Sequence, residues 1–298
     1  MIGPETGRKY SVCVVARRVA LAALVALAAI AAVAVAVGGT RAPGAISYGS
    51  LPSKALAGRL RFAVYLPADY GTSGKRYPVV YFLHGLPASP YAYRGIRFVG
   101  RALEQTGKEA IVVAPQGARD GDTDPEWLDW GPGRNWETAI AKELVAYVDA
   151  HYRTITTRRG RALVGVSAGG YGAVLLALHH LETYSVIESW SGYFHPTDPT
   201  GSSPLDIGSP QANAHASAHT FVPVLRRAFR QDPTFFAFYV GTSDARFRAE
   251  NELLDRELSA ARVPHVFELY PGSHEQSFWS AHAVTWLRLA LDRLSAPR

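Results

Sequence analysis

Cysteine is almost absent from this chain of 298 residues. The single cysteine, Cys13, precedes an apolar run that begins at Val19, so the chain beyond that run carries no thiol. This excludes disulfide bonds and thiol catalysis from the remainder of the protein. Stability must then come from a hydrophobic core. A chain of this length with 48% hydrophobic residues can build one large α/β domain.

The chain also carries little net charge outside its N-terminal residues. The formal charge of the whole chain is +6, and residues 1–41 carry +4 of it, which leaves +2 for the rest. A nearly neutral body without a basic face interleaved with aromatic residues argues against nucleic-acid binding. Internal repeats and long low-complexity tracts are absent as well. We therefore expect no nucleic-acid partner.

Motifs for metals and cofactors are weak. His215 and His219 lie four residues apart, which could place two imidazoles on one helix face, but no glutamate accompanies them in an H-E-x-x-H arrangement. Asp120, Asp122 and Asp124 alternate like calcium ligands, yet the loop glycine and the distal glutamate of such a site are missing. We expect no metal and no cofactor.

An unbroken apolar run at Val19–Val37 follows two arginines. Its length approaches the roughly 20 residues that cross a bilayer, so it is predicted to be a signal peptide or a transmembrane anchor. Residues 1–18 then form a cytoplasmic n-region, 38–52 a linker and 53–298 the folded domain. Either interpretation places that domain outside the cytoplasm, membrane-anchored or secreted.

Beyond the linker, apolar runs alternate with helical patterns, which predicts an α/β fold with a doubly wound, mostly parallel sheet. The run at Leu60–Leu66 alternates as an edge strand does. Residues 193–233 interrupt the rhythm; they are predicted to form a cap-like insertion with its best helix at Phe221–Arg230. The other predicted strands lie at 78–83, 110–114, 161–166, 185–190, 235–240 and 265–270.

The stretch 163–172, LVGVSAGGYG, combines an apolar strand, a serine flanked by glycines and the start of a helix. This order is typical of a nucleophile elbow. Gly165 and Gly169 are required there because side chains would collide with the neighbouring strand and helix. Ser167 is therefore the predicted nucleophile.

A serine hydroxyl needs an imidazole to accept its proton and a carboxylate to orient that imidazole. In α/β-hydrolases the acid and then the histidine follow late strands. Asp244 follows the strand ending at Val240, and His274 follows the last predicted strand. They are favoured over His282, Glu188 and Asp198, and complete the predicted catalytic set.

Acyl transfer also needs backbone N–H groups that stabilise the oxyanion. Ala168, directly after the nucleophile, and Leu86, in the loop after the strand ending at Leu83, are the predicted donors. His84 is expected either to shape that loop or to be a structural histidine at the strand end. Trp127 and Trp130 lie in the long loop 117–135 and are predicted to form one wall of the substrate cleft.

The chain resembles the esterase D type serine esterases of the α/β-hydrolase fold, a family that includes feruloyl and acetyl xylan esterases, enterochelin esterases and mycolyltransferases. The resemblance covers roughly residues 53–294. It rests on YLP at 65–67, RYPVVYFLHG at 76–85, WET at 136–138, YVD at 147–149 and GVSAGG at 165–170. It implies the same triad of Ser167, Asp244 and His274, with Leu86 and Ala168 as oxyanion donors.

These features predict an extracytoplasmic serine carboxylesterase that acts on small-molecule, lipid or carbohydrate esters through an acyl-enzyme. Mycolyltransferases typically use a glutamate as the acid, so Asp244 resembles the esterase branch. Two alternatives remain: an acyltransferase that moves an acyl group to a sugar or lipid hydroxyl, and a non-catalytic binding module on a hydrolase scaffold. The sequence does not determine the oligomeric state.

Overall fold

The computed structural model describes residues 43–87, 89–118, 126–198 and 203–298. Strands within these ranges are β1 (Ala45–Ser53), β2 (Gly58–Leu66), β3 (Val79–Leu83), β4 (Ile111–Pro115), β5 (Arg161–Val166), β6 (Val186–Trp190), β7 (Phe235–Gly241) and β8 (Val266–Tyr270). They join in one sheet with the order β1-β2-β4-β3-β5-β6-β7-β8.

Helices connect most of the strands. They are α1 (Ile96–Thr106), α2 (Trp136–Thr138), α3 (Val145–His151), α4 (Ala168–His179), α5 (Pro210–His215), α6 (Val222–Gln231), α7 (Arg248–Ala260) and α8 (Gln276–Leu291). A π-helical segment at Ala139–Leu144 joins α2 to α3, and 3₁₀ turns lie at Ala92–Gly95, Arg158–Gly160 and Ala218–Phe221.

The sheet is parallel from β4 to β8 and antiparallel at the β1 and β2 edge. The expectation of an edge strand at Leu60–Leu66 is wrong, because β1 pairs with β2 on its outer side. The linker expectation for 38–52 is equally wrong from Ala45 onward, since those residues form β1. β1 is rich in small and polar residues, and most of its side chains are exposed or partly exposed, as in an edge strand. By composition alone, such a strand is hard to distinguish from a flexible tether.

Both faces of the sheet are covered. Alternate residues of β3 illustrate this: Val79, Tyr81 and Leu83 belong to one core cluster, while Val80 and Phe82 belong to another. The first cluster contains residues of the α2–α3 segment, α4, α6 and α7, and the second contains residues of α1 and α8. Burial on two sides explains why the central strands are apolar without alternation.

The insertion predicted at 193–233 contains α5, a 3₁₀ turn and α6. The helix expected at Phe221–Arg230 is confirmed as α6. Tyr193 and Ala216 pack with Tyr171 of α4, whose hydroxyl donates a 2.7 Å hydrogen bond to the Ala216 carbonyl. The described residues of the insertion are therefore anchored on α4.

The predicted N-terminal segments, residues 1–18 and Val19–Val37, lie outside the described residues, as do Asp120, Asp122 and Asp124. From residue 43 onward, the described part of the chain contains no helix that is both long and apolar enough to cross a membrane.

Candidate active site

The carboxyl ends of four parallel strands meet at one edge of the sheet. The loop after β3 carries His84 and Leu86, β5 leads into Ser167, β7 into Asp244, and β8 into His274. Because parallel strands all end at the same edge, residues far apart in sequence are brought together there. The predicted site residues of these loops therefore share one crevice.

Ser167 lies in the turn between β5 and α4 with φ 56° and ψ −124°. A non-glycine residue in this region costs about 1–3 kcal/mol, which the surrounding structure must offset. A Cβ on Gly165 would lie 2.0 Å from the Gly169 carbonyl oxygen, and one on Gly169 would lie 2.1 Å from the carbonyl oxygen of Leu83. Both positions thus require glycine, as the elbow pattern predicts.

The three predicted triad side chains form a hydrogen-bonded chain. His274 Nδ1–H donates to Asp244 Oδ2 at 2.8 Å, and Ser167 Oγ lies 2.9 Å from His274 Nε2. The carboxylate also accepts the backbone N–H groups of Arg246 and Phe247, each at 3.1 Å from Oδ1. With Nδ1 protonated toward the acid, Nε2 is left as the acceptor for the serine proton.

The competing residues occupy other environments. His282 packs on Trp286 with ring centroids 5.1 Å apart. Glu188 is fully buried within the sheet, where burial raises the pKa of its carboxyl to about 8. Asp198 lies in the insertion, where its N–H donates to the Ser203 carbonyl at 2.9 Å.

Leu86 lines the same cavities as Ser167, and Ala168 follows the serine directly. Ala168 is the first residue of α4, and N–H groups in the first turn of a helix have no partner within the helix. Gly85 allows the second loop to approach, since a Cβ there would lie 2.9 Å from the Ser167 Cβ. This arrangement fits a two-donor oxyanion hole.

His84 is the first residue of this loop and lines a cavity that also contains Ser167. Its Nδ1 donates to the Gly85 carbonyl at 2.8 Å, and its ring packs edge-on against Trp127 at 4.9 Å. Burial lowers the pKa of His84 to about 4, outweighing the hydrogen bond to Gly85, so the imidazole is neutral at pH 7. These contacts fit both a histidine that shapes the loop and a structural histidine at the strand end.

Two cavities share Ser167. One of about 230 Å³ is lined mostly by apolar side chains, among them Leu86, Tyr93, Ile96, Phe98, Val166 and Trp279. The other, of about 530 Å³, is lined by Leu86, Pro87, Arg246, His274, Glu275, Gln276 and Trp279. Ser167 thus lines both cavities, and the wider one has more charged and polar residues in its lining.

The predicted aromatic wall of Trp127 and Trp130 is not part of these two cavities, and the loop that carries both residues is described only in part. Trp127 is only 2% exposed and packs against His84 and Gly172, whose Cβ would lie 2.5 Å from the indole ring. Trp130 packs against the core, with the Arg134 guanidinium 6.0 Å above its ring. Neither residue lines the described cavities.

Trp279 is the aromatic residue that sequence reasoning missed. It lies in the first turns of α8, five residues after His274, and lines both cavities. Its ring packs edge-on against His274 at 5.0 Å, and its Nε1 donates to Ser191 Oγ at 3.0 Å. The sequence feature that could have identified Trp279 is its position in the helix that directly follows the His274 loop.

Comparison with known proteins places these features in context. A family model described as "Putative esterase" matches residues 53–288. The chain is 38% identical over 130 residues to Esterase Rv1288 of Mycobacterium tuberculosis, which covers 43% of this chain and 28% of that protein. It is 27% identical over 177 residues to the diacylglycerol acyltransferase/mycolyltransferase Ag85A of Mycobacterium leprae, covering 57% and 52%. The chain thus spans about half or less of these relatives.

Solved structures are similar over most of the chain. A ferulic acid esterase has a TM-score of 0.69 at 23% identity, covering 85% of this chain and 98% of that one. An S-formylglutathione hydrolase from Agrobacterium tumefaciens has a TM-score of 0.68 at 21% identity, covering 85% and 96%. At these identities the similarity establishes the α/β-hydrolase-like fold.

Proposed function

The chain belongs to the esterase family and is a serine esterase or acyltransferase, and on this premise we propose that it is a carboxylesterase with Ser167, His274 and Asp244 as its triad. The observation that carries the proposal is the hydrogen-bonded chain from Asp244 through His274 to Ser167. Its geometry supports general-base activation of the serine without further rearrangement.

The reaction has two halves. Ser167 Oγ attacks the ester carbonyl while His274 Nε2 takes its proton, and the oxyanion accepts the N–H groups of Leu86 and Ala168. His274 then gives the proton to the leaving alcohol, which produces the acyl-enzyme. Water attacks this ester with His274 again as base, and the carboxylic acid leaves as Ser167 recovers its proton.

We assign the apolar cavity of about 230 Å³ to the acyl group and the wider cavity to the alcohol. Pockets for drug-sized ligands run from about 300 to 1,000 Å³. The apolar cavity is smaller, which supports a short or single-ring acyl group over a long fatty chain. Arg246, Glu275 and Gln276 give the alcohol side hydrogen-bonding groups suited to a hydroxylated leaving group.

The test compares Ser167→Ala with Ser259→Ala, which changes an exposed serine on α7. We expect Ser167→Ala to lower kcat for p-nitrophenyl acetate by at least about 10⁴-fold, while Ser259→Ala retains full activity. A fluorophosphonate probe should label the wild type and the Ser259 variant only. Undiminished turnover by the Ser167 variant would remove the assignment, and an unlabelled, inactive wild type would favour a binding module.

An acyltransferase is the second candidate. The wider cavity offers polar groups for an acceptor hydroxyl, and one relative is named a mycolyltransferase. Both reactions share the acyl-enzyme and differ in the second nucleophile. Single-turnover breakdown of the acetyl-enzyme should therefore be measured with and without trehalose or glycerol. Acceleration together with an acylated product identifies transfer, whereas free acetate alone identifies hydrolysis.

For location, we propose an extracytoplasmic domain that is membrane-anchored or secreted. The support is the apolar run Val19–Val37 and the two arginines before it. Expression of the full chain in a bacterial host, followed by fractionation and protease treatment of intact spheroplasts, tests this. Protection of residues 43–298 from the protease would contradict it.

A further inference from the structure

A second cluster of reactive side chains lies at the base of the insertion. His195 follows β6, His219 lies in the 3₁₀ turn Ala218–Phe221, and Glu250 lies in the first turn of α7. One ligand atom from each lies within 4.8 Å of the other two. All three side chains are partly buried, with relative exposures of 34%, 19% and 16%.

The hydrogen bonds in this cluster converge on one oxygen. Glu250 Oε1 accepts the Phe194 backbone N–H at 3.1 Å, and it also lies 2.6 Å from His195 Nδ1 and 3.1 Å from His219 Nε2. Three nitrogen atoms, two from the segment after β6 and one from the 3₁₀ turn, thus surround a single carboxylate oxygen. Two of them belong to imidazoles, which in the neutral form are common ligands of divalent metals.

The other face of His219 has the partner expected of a metal ligand. Its Nδ1–H donates to Glu257 Oε2 at 2.5 Å. Metal-bound histidines usually donate their second ring N–H to a carboxylate, which directs the remaining lone pair at the metal. When the Nδ1–H is directed at Glu257, the Nε2 of His219 faces the Glu250 carboxylate. A divalent cation between this nitrogen and the carboxylate would replace the proton that otherwise joins them at 3.1 Å.

We propose that His195, His219 and Glu250 bind one divalent transition-metal ion of the zinc class. Two imidazoles with a carboxylate form a familiar zinc donor set with one open coordination position. A cavity of about 280 Å³ reaches His195 and Glu250, and its lining includes Thr197, Ser203 and Arg246, so a water has room to complete the coordination. Zinc ligands at about 2.0–2.1 Å from the metal lie about 3.3 Å apart, a spacing that side-chain rotation can reach here.

Such an ion would join three parts of the chain. It would tie the segment after β6 and the insertion to α7, which begins four residues after Asp244. The site therefore differs from the pair His215 and His219 that sequence spacing suggests. His215 instead packs on His179 with ring centroids 4.0 Å apart. The bound ion would stabilise the insertion and leave the chemistry at Ser167 to the triad.

The experiment uses the full chain, free of affinity tags and stripped with EDTA. Isothermal titration with ZnCl₂ should show one ion per chain with a Kd of about 1 μM or below. His195→Gln and Glu250→Gln should each weaken binding at least about tenfold, whereas His215→Gln and His274→Gln should bind as the wild type does. Absorption bands of four-coordinate Co²⁺ should appear in the wild type and be lost in His195→Gln.

Thermal unfolding of the wild type measures zinc binding without requiring that any variant is folded. Zinc at about 100 times its Kd should raise the Tm of the wild type by about 5 °C or more. A flat titration of the wild type would mean that protons alone hold the cluster and would overturn the proposal. Binding that is lost in His274→Gln but retained in His195→Gln would overturn it as well. Neither result depends on the esterase assay.

Discussion

Gly165 and Gly169 lie so close across the nucleophile turn that a Cβ on Gly165 would lie 2.0 Å from the Gly169 carbonyl oxygen. The contact is between backbones, so it cannot be relieved by rotating a side chain. The serine's strained conformation is maintained by this close packing of strand and helix. Changes at these glycines should therefore affect stability and activity together.

Gly165→Ala is expected to destabilise the protein by about 1–3 kcal/mol and to lower esterase activity, because β5 and α4 must separate. The measurements are urea unfolding and p-nitrophenyl acetate turnover. Gly71→Ala is the matched control, since a Cβ there would meet nothing within 4 Å. Equal stability of the two variants would contradict the requirement for glycine at the turn.

Asp244→Asn should lower kcat by about 10⁴-fold while the fold is retained. An asparagine can donate to His274 Nδ1, which places the ring proton on Nε2, where it blocks acceptance from Ser167. Steady-state kinetics of the variant and its circular dichroism spectrum check this. Asp198→Asn, which removes a rejected acid in the insertion, should retain activity. A larger loss in that variant would reverse the assignment of the acid.

Phe98→Ala should shift the acyl preference toward longer chains. Phe98 lines the cavity of about 230 Å³ and packs against Phe82, with ring centroids 5.6 Å apart, so truncation extends the cavity. The ratio of kcat/KM for p-nitrophenyl octanoate to that for acetate is expected to rise at least about tenfold. Phe267→Ala, a similar truncation on β8, should leave the ratio unchanged. An unchanged ratio in Phe98→Ala would place the acyl group elsewhere.

Glu188 gives a prediction about pH. Burial raises the pKa of its carboxyl to about 8, despite hydrogen bonds from Trp190 Nε1 and the Tyr239 hydroxyl that lower it. The folded state thus retains a proton that the unfolded state loses above about pH 4.5. This carboxyl's contribution to stability is complete below pH 4.5 and is lost as pH rises to about 8, by about 1.4 kcal/mol per pH unit.

The permanently neutral Glu188→Gln should lack this dependence. Its free energy of unfolding relative to the wild type should therefore increase between pH 5 and pH 8, measured by urea denaturation. Glu252→Gln, at a side chain that is 33% exposed and pairs with Arg248 rather than with a histidine, serves as the control, and its difference from the wild type should stay constant with pH. A difference between Glu188→Gln and the wild type that stays constant with pH would show that the buried carboxyl does not titrate in this range.

The sequence predicts the central sheet, and it places the proposed triad residues after strands in the order serine, acid, histidine, because both inferences depend on local patterns. Continuous apolar runs indicate strands buried on two faces, and the loops after β5, β7 and β8 carry Ser167, Asp244 and His274. Parallel strands then place their carboxyl ends at one edge. The elbow glycines follow from the same turn, so their role can be deduced before any contact is known.

How deeply a side chain is buried, and which side chains it contacts, are decided only by the tertiary structure. Trp127 is a loop residue in sequence, but Gly172 and His84 accommodate its indole in the interior. His219 has a nearby sequence partner in His215, yet the fold brings it to His195 and Glu250 instead. The physical reason is common to both: local patterns specify backbone periodicity and turn chemistry, whereas burial and side-chain pairing depend on contacts between segments that are distant along the chain.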